Sequence, residues 1–68
     1  MIIYEPLWKT MKNKNITTYT LINKYNLSSN TIHRLKHGKG TSTLIINDLC
    51  TILNCKISDV ICYIPDKI

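Results

Sequence analysis

The sequence predicts an all-α fold of five short helices, and three observations predict it. Apolar residues recur at helical spacing in five separate stretches. Residues that cap or end helices stand between them: Thr17, Asn26, Ser28, Gly38, Ser42 and Asn54. Polar and apolar residues do not alternate over any long window, and only Ile2 to Tyr4 reads as a short edge strand. With 68 residues and 44% apolar content, the chain suits one small domain, residues 1–68. That length excludes a nucleotide-binding sheet domain, a barrel and a large enzyme cleft. The apolar content excludes a disordered tail.

The first helix is expected over residues 6–14. Pro6 suits a first helical turn, where its missing N–H costs nothing. Leu7, Trp8 and Met11 form the apolar stripe, and Asn13 and Asn15 mark the end. Thr17 is placed to cap a second helix whose buried face is Leu21, Ile22 and Tyr25. Asn26 tolerates the left-handed backbone that closes a helix, and Leu27 is the buried residue of the following turn. Ser28 caps a third helix that runs to His37 and stops at Gly38. Ser42 or Thr43 caps a fourth, with Ile46, Leu49, Cys50 and Leu53 inward and Asn54 at its end. Ile57, Val60, Ile61 and Ile64 have the spacing of a fifth, closed by Pro65.

Charge is unevenly distributed. The net charge is +5, and positions 6–47 contain no Asp or Glu. Lys9, Lys12, Lys14, Lys24, Arg34, Lys36 and Lys39 all lie in that span, a surface suited to a polyanion. No secretory signal or apolar run of membrane-spanning length is present, so the expected compartment is the cytoplasm. Cys50, Cys55 and Cys62 are an odd number of thiols in such a chain, so reduced, small core hydrophobes are expected. Cys50 lies on the stripe of the fourth helix, and Cys62 is expected to be more exposed.

The candidate site lies between Ile16 and Gly40. Two short helices joined by Tyr25-Asn26-Leu27-Ser28 make a helix-turn-helix, over about residues 17–37. On the third helix Ile32 and Leu35 define the buried side. Asn30, His33, Arg34 and His37 then share the opposite arc, with Ser29 at its edge. An amide, a guanidinium and two imidazoles can bond base edges and phosphates in a major groove. Thr17-Thr18 and Ser28-Ser29-Asn30 line two helix starts without an acid, which leaves backbone N–H groups to phosphate oxygens. Lys39 extends the basic surface just past the third helix.

The segment Ile16-Thr17-Thr18-Tyr19-Thr20-Leu21-Ile22-Asn23-Lys24-Tyr25-Asn26-Leu27-Ser28-Ser29-Asn30-Thr31-Ile32-His33-Arg34-Leu35-Lys36-His37-Gly38-Lys39 resembles the helix-turn-helix of Cro/CI-type (XRE-family) regulators. The likeness continues through Leu49-Cys50-Thr51-Ile52-Leu53-Asn54-Cys55 and ends at Asp59-Val60-Ile61-Cys62-Tyr63-Ile64-Pro65-Asp66. That tail is similar to the small single-domain branch whose members end in a Tyr-apolar-Pro-Asp segment.

The resemblance implies a five-helix lambda-repressor-like DNA-binding domain, bacterial or phage-encoded, whose third helix enters the major groove. A homodimer on a pseudo-palindromic double-stranded operator is implied too. By position, Ser29, Asn30 and Arg34 face bases and His33 flanks them. Thr17, Thr18, Ser28 and Lys39 meet phosphates, and His37 joins them from the outer arc. Two positions depart from the family. Ile22 stands where a small residue is common, and Lys36 where a Glu often pairs with a basic residue of the first helix.

Competing readings carry less. Scattered lysines are often only a solvated face, but here the acid-free span coincides with the helix-turn-helix. His33 and His37 have i, i+4 metal-ligand spacing, yet Arg34 and Lys36 beside them disfavour a dication, so no metal or cofactor is expected. No Gly-rich phosphate loop, paired carboxylates or Ser elbow is present, so no catalysis is expected. The inward faces of several helices agree with one another, which disfavours a membrane-active peptide. With no Phe, and with tyrosines mostly on helix stripes (Tyr19, expected to project from the second helix, is the exception), no stacking platform for RNA is expected. The expected function is a sequence-specific transcriptional regulator acting as a repressor. The alternative is a protein-interaction or antitoxin module on the same fold. Self-association surfaces are expected at Met1 to Tyr4 and at Ile61 and Ile64, with Ile45 and Ile52 as a further candidate.

Overall fold

In a computed structural model the chain is described over residues 1–66. Its elements run β1 (Ile2–Ile3), α1 (Glu5–Asn13), α2 (Thr18–Asn23), α3 (Ser29–Lys36), α4 (Thr43–Leu53), a 3₁₀ turn (Ile57–Asp59) and β2 (Cys62–Tyr63). The last two positions of the expected domain, 67 and 68, lie outside the described residues.

Helix starts and ends are written locally. The hydroxyls of Thr17, Ser28 and Ser42 accept the N–H groups of Thr20, Thr31 and Ile45, each three residues on. Each satisfies one of the donors that a helix start leaves without an intrahelical partner. At the other ends, Asn15, Asn26, Gly38 and Asn54 all have positive φ, between 50° and 68°. This is the left-handed backbone that Asn and Gly enter most readily, and it turns the chain away from the helix axis.

The core is continuous across all four helices. Leu7 and Met11 of α1, Leu21 of α2, Ile32 and Leu35 of α3, and Ile46, Leu49 and Leu53 of α4 are buried, as are Leu27 and Val60. These are the inward positions expected from spacing. Tyr4 is also buried, which corrects its placement on an exposed self-association segment. Ile3, Ile45, Ile52 and Ile61 are half-buried, so they contribute less free surface than expected.

The expected fifth helix is not formed, and the described residues hold four α-helices. Only the 3₁₀ turn develops, after which the chain extends and β2 pairs antiparallel with β1, Ile2 opposite Tyr63 and Ile3 opposite Cys62. Met1 and Ile64 continue the ladder, Ile64 N donating to the Met1 carbonyl (2.8 Å) and the Met1 amine to the Ile64 carbonyl (2.6 Å). The physical reason is that this pairing satisfies the backbone of both chain ends at once. A fifth helix would have little to bury: Val60 is fully enclosed, whereas Ile57 and Ile64 are 59% and 48% exposed. β-branched residues also favour the extended backbone. Thr10 Oγ1 ties the turn to α1 by donating to the Asp59 carbonyl (2.7 Å). Among the described residues, no helix is long and apolar enough to cross a membrane.

Candidate nucleic-acid interface

Helices α2 and α3 form the helix-turn-helix. Leu27, buried in the turn, donates its N–H to the Leu21 carbonyl (3.1 Å), so the turn is pinned to α2 while Asn26 reverses the chain. Ile32 and Leu35 then anchor α3 to the core. Ser29, Asn30, His33, Arg34 and His37 are consequently all exposed. The arc read from the helical wheel is thus brought together on one outer face. The His33 and His37 rings stand 4.2 Å apart between centroids, tilted by 50°. Among the described residues, no three His, Cys, Asp or Glu side chains gather as a metal site.

Thr17 and Ser28 are exposed, but their oxygens also serve as helix caps. Each lies against a second hydroxyl, Thr17 with Thr20 (3.1 Å) and Ser28 with Thr31 (2.8 Å). Thr18 is half-buried. Neither α2 nor α3 has an acid in its first turn. The ion pair found among the described residues joins the Met1 amine to Asp66 (3.5 Å), so no Lys or Arg side chain of α1–α3 is neutralised by a carboxylate there.

The loop after α3 is held more tightly than the sequence suggested. Gly38 ends the helix with a left-handed turn, its N–H reaching the Leu35 carbonyl (3.2 Å) and the Lys39 N–H the Arg34 carbonyl (2.9 Å). This pair of bonds folds Lys39 back beside Arg34. The guanidinium of Arg34 donates through both Nε and Nη2 to the Gly40 carbonyl. The buried Tyr4 donates its hydroxyl to the neighbouring Lys39 carbonyl (2.8 Å). Sequence reasoning missed Tyr4 as part of this region. Its partner is 35 residues away, and no local spacing points to it.

A capped helix-turn-helix with an exposed polar second helix, beside a basic loop and without acids, defines a DNA-binding domain of the transcription-regulator kind. Residues 6–66 match the Cro/C1-type HTH DNA-binding domain, and the chain belongs to that family. Its fold is accordingly lambda-repressor-like, with four α-helices among the described residues. A solved structure of the transcriptional regulator VanUg superposes with a TM-score of 0.85 at 25% identity, over 96% of this chain and 87% of that one. A search of curated protein sequences finds no match. The family is one of DNA-binding regulators and not of enzymes, in agreement with the expectation from the sequence.

Proposed function

We propose that this protein is a sequence-specific regulator that reads double-stranded DNA by laying α3 in the major groove. The observation that carries the reading is the shared exposure of Asn30, His33 and Arg34 on α3, opposite Ile32 and Leu35. Asn30 suits the paired donor and acceptor of adenine, and Arg34 the acceptors of guanine. Ser29 faces bases beside them, and His33 flanks them. The phosphate contacts fall to Thr17, Thr18, Ser28, His37 and Lys39. A capping hydroxyl accepts an N–H with its oxygen and, with the neighbouring Thr20 or Thr31 hydroxyl as the donor between them, keeps its own hydrogen for a phosphate.

The reading further assigns repression by occupancy, without cofactor, in the bacterial cytoplasm, by one domain spanning residues 1–68. A domain this small covers few phosphates, so useful affinity calls for two copies on half-sites ~34 Å apart. The β1–β2 ribbon supports this, because Met1, Ile2, Tyr63 and Ile64 leave their apolar side chains exposed there.

The test is binding of random duplex DNA across a salt series, with sedimentation of protein and complex. Salt-dependent binding by a dimer supports the reading. A monomer at high concentration, with and without duplex, overturns the dimer. Absence of salt-dependent binding overturns DNA recognition.

A further inference from the structure

All three cysteines are free thiols, and two of them are brought together by the way α4 ends. Asn54 adopts the left-handed backbone, its N–H bonding the Thr51 carbonyl (3.3 Å) and the Cys55 N–H the Cys50 carbonyl (3.0 Å). Such a pair of bonds folds the residue beyond the turn back over the last helical turn, and the side chains at those two positions meet. Usually two apolar groups meet there. Here both are thiols, half-buried and packed against the core. Cys50, Asp59 and Lys14 all lie close enough to the Cys55 thiol to act on it through their charges.

We propose that Cys50 and Cys55 form a two-sulfur site for one soft monovalent metal cation, of which copper(I) is the type. The donor set selects the class. Thiolates favour soft ions. A structural zinc site needs four ligands, and among the described residues not even three His, Cys, Asp or Glu side chains gather. A d¹⁰ monovalent ion is satisfied by two sulfurs in a line. Binding breaks two S–H bonds, forms two metal–sulfur bonds and releases two protons to water, with no change of oxidation state. The resulting unit carries one negative charge, which the Lys14 ammonium offsets.

The same surroundings disfavour disulfide chemistry. Burial, then the neighbouring Cys50 and Asp59, push the Cys55 thiol up, which makes it a slow nucleophile. An entering soft cation displaces the thiol protons directly. The site lies at the end of α4, on neither helix of the helix-turn-helix, so it stands apart from the DNA-reading proposal.

The test uses the reduced full-length protein without oxygen, titrated with copper(I) against a chromophoric copper(I) chelator. One equivalent should be withheld from the chelator. Alkylation of the wild type with and without copper, followed by peptide mapping, should label Cys50 and Cys55 more slowly when copper is bound and leave the labelling of Cys62 unchanged. The Cys62→Ser variant should still bind one equivalent, whereas Cys50→Ala and Cys55→Ala, checked for helical content, should lose it. The wild-type alkylation pattern serves even if a variant fails to fold. Labelling of Cys50 and Cys55 that copper leaves unchanged overturns the site, as does binding that disappears with Cys62.

Discussion

Arg34 grips the carbonyl oxygen of Gly40 with two donors, Nε at 3.2 Å and Nη2 at 2.9 Å. The cation on the outer face of α3 is therefore also the strut of the loop that follows. With Tyr4 donating to the Lys39 carbonyl, α3 and the loop after it form one positioned surface. Nη1 takes no part in the strut and keeps its hydrogens for a base or a phosphate.

This double duty separates charge from geometry. Replacing Arg34 by Ala is expected to cost ~1–3 kcal/mol of binding to a preferred site, and less on random duplex. Replacing it by Lys keeps the charge but not the planar fork, so binding to random duplex should be retained while the loss on the preferred site persists. Fluorescence anisotropy with the two duplexes measures both. Full recovery of site preference by Lys would mean that only the charge matters.

Lys39 and Tyr4 should separate in a salt titration. Lys39→Ala is expected to weaken preferred and random duplexes alike and to flatten the salt dependence by about one phosphate contact. Tyr4→Phe removes a single hydrogen bond inside the protein. It should cost roughly 0.5–1.5 kcal/mol of folding stability and leave the salt slope unchanged.

The cap of α3 can be tested without DNA. Ser28→Ala removes the acceptor for the Thr31 N–H and is expected to cost about 1 kcal/mol, within a range of ~0.5–2, in urea unfolding. Gly38→Ala meets no neighbouring atom within 4 Å, so its cost is that of the left-handed backbone alone, about 1 kcal/mol. A neutral result at Gly38 would contradict the left-handed turn.

Two apolar substitutions distinguish the observed C-terminal ribbon from a fifth helix. Leu49, fully enclosed on α4, should cost ~2–5 kcal/mol as Leu49→Ala. Ile57→Ala, at a residue 59% exposed, should stay within about 0.5 kcal/mol of wild type. A packed fifth helix with Ile57 on its inner stripe would make the second change costly as well.

These differences show why the sequence was legible in some places and not in others. Helix ends depend on neighbours in the chain. The caps at Thr17 and Ser28, the cap at Ser42 as one of two candidates with Thr43, and the helix ends at Asn26, Gly38 and Asn54 could be read directly, as could the inward faces between them. The segment from Ile57 to Ile64 depends instead on pairing with Met1 to Ile3, more than 50 positions away, and its spacing fits a helix equally well. The site divides in the same way. Which side chains of α3 face outward follows from its period, but the Arg34–Gly40 and Tyr4–Lys39 bonds need a loop backbone that no periodicity describes. The Cys50–Cys55 contact falls between the two cases. Its spacing is local, yet it brings the thiols together only because Asn54 turns left-handed.

The central claim is that α3 reads DNA sequence from the face bearing Asn30, His33 and Arg34. Selection of bound sites from a pool of random duplexes tests it most directly. The account predicts enrichment of an inverted repeat whose half-sites lie about one helical turn apart, ~34 Å, and loss of that enrichment in the Asn30→Ala, Arg34→Ala double variant. A pool that stays random under the wild-type protein, or one enriched equally by the double variant, would contradict it.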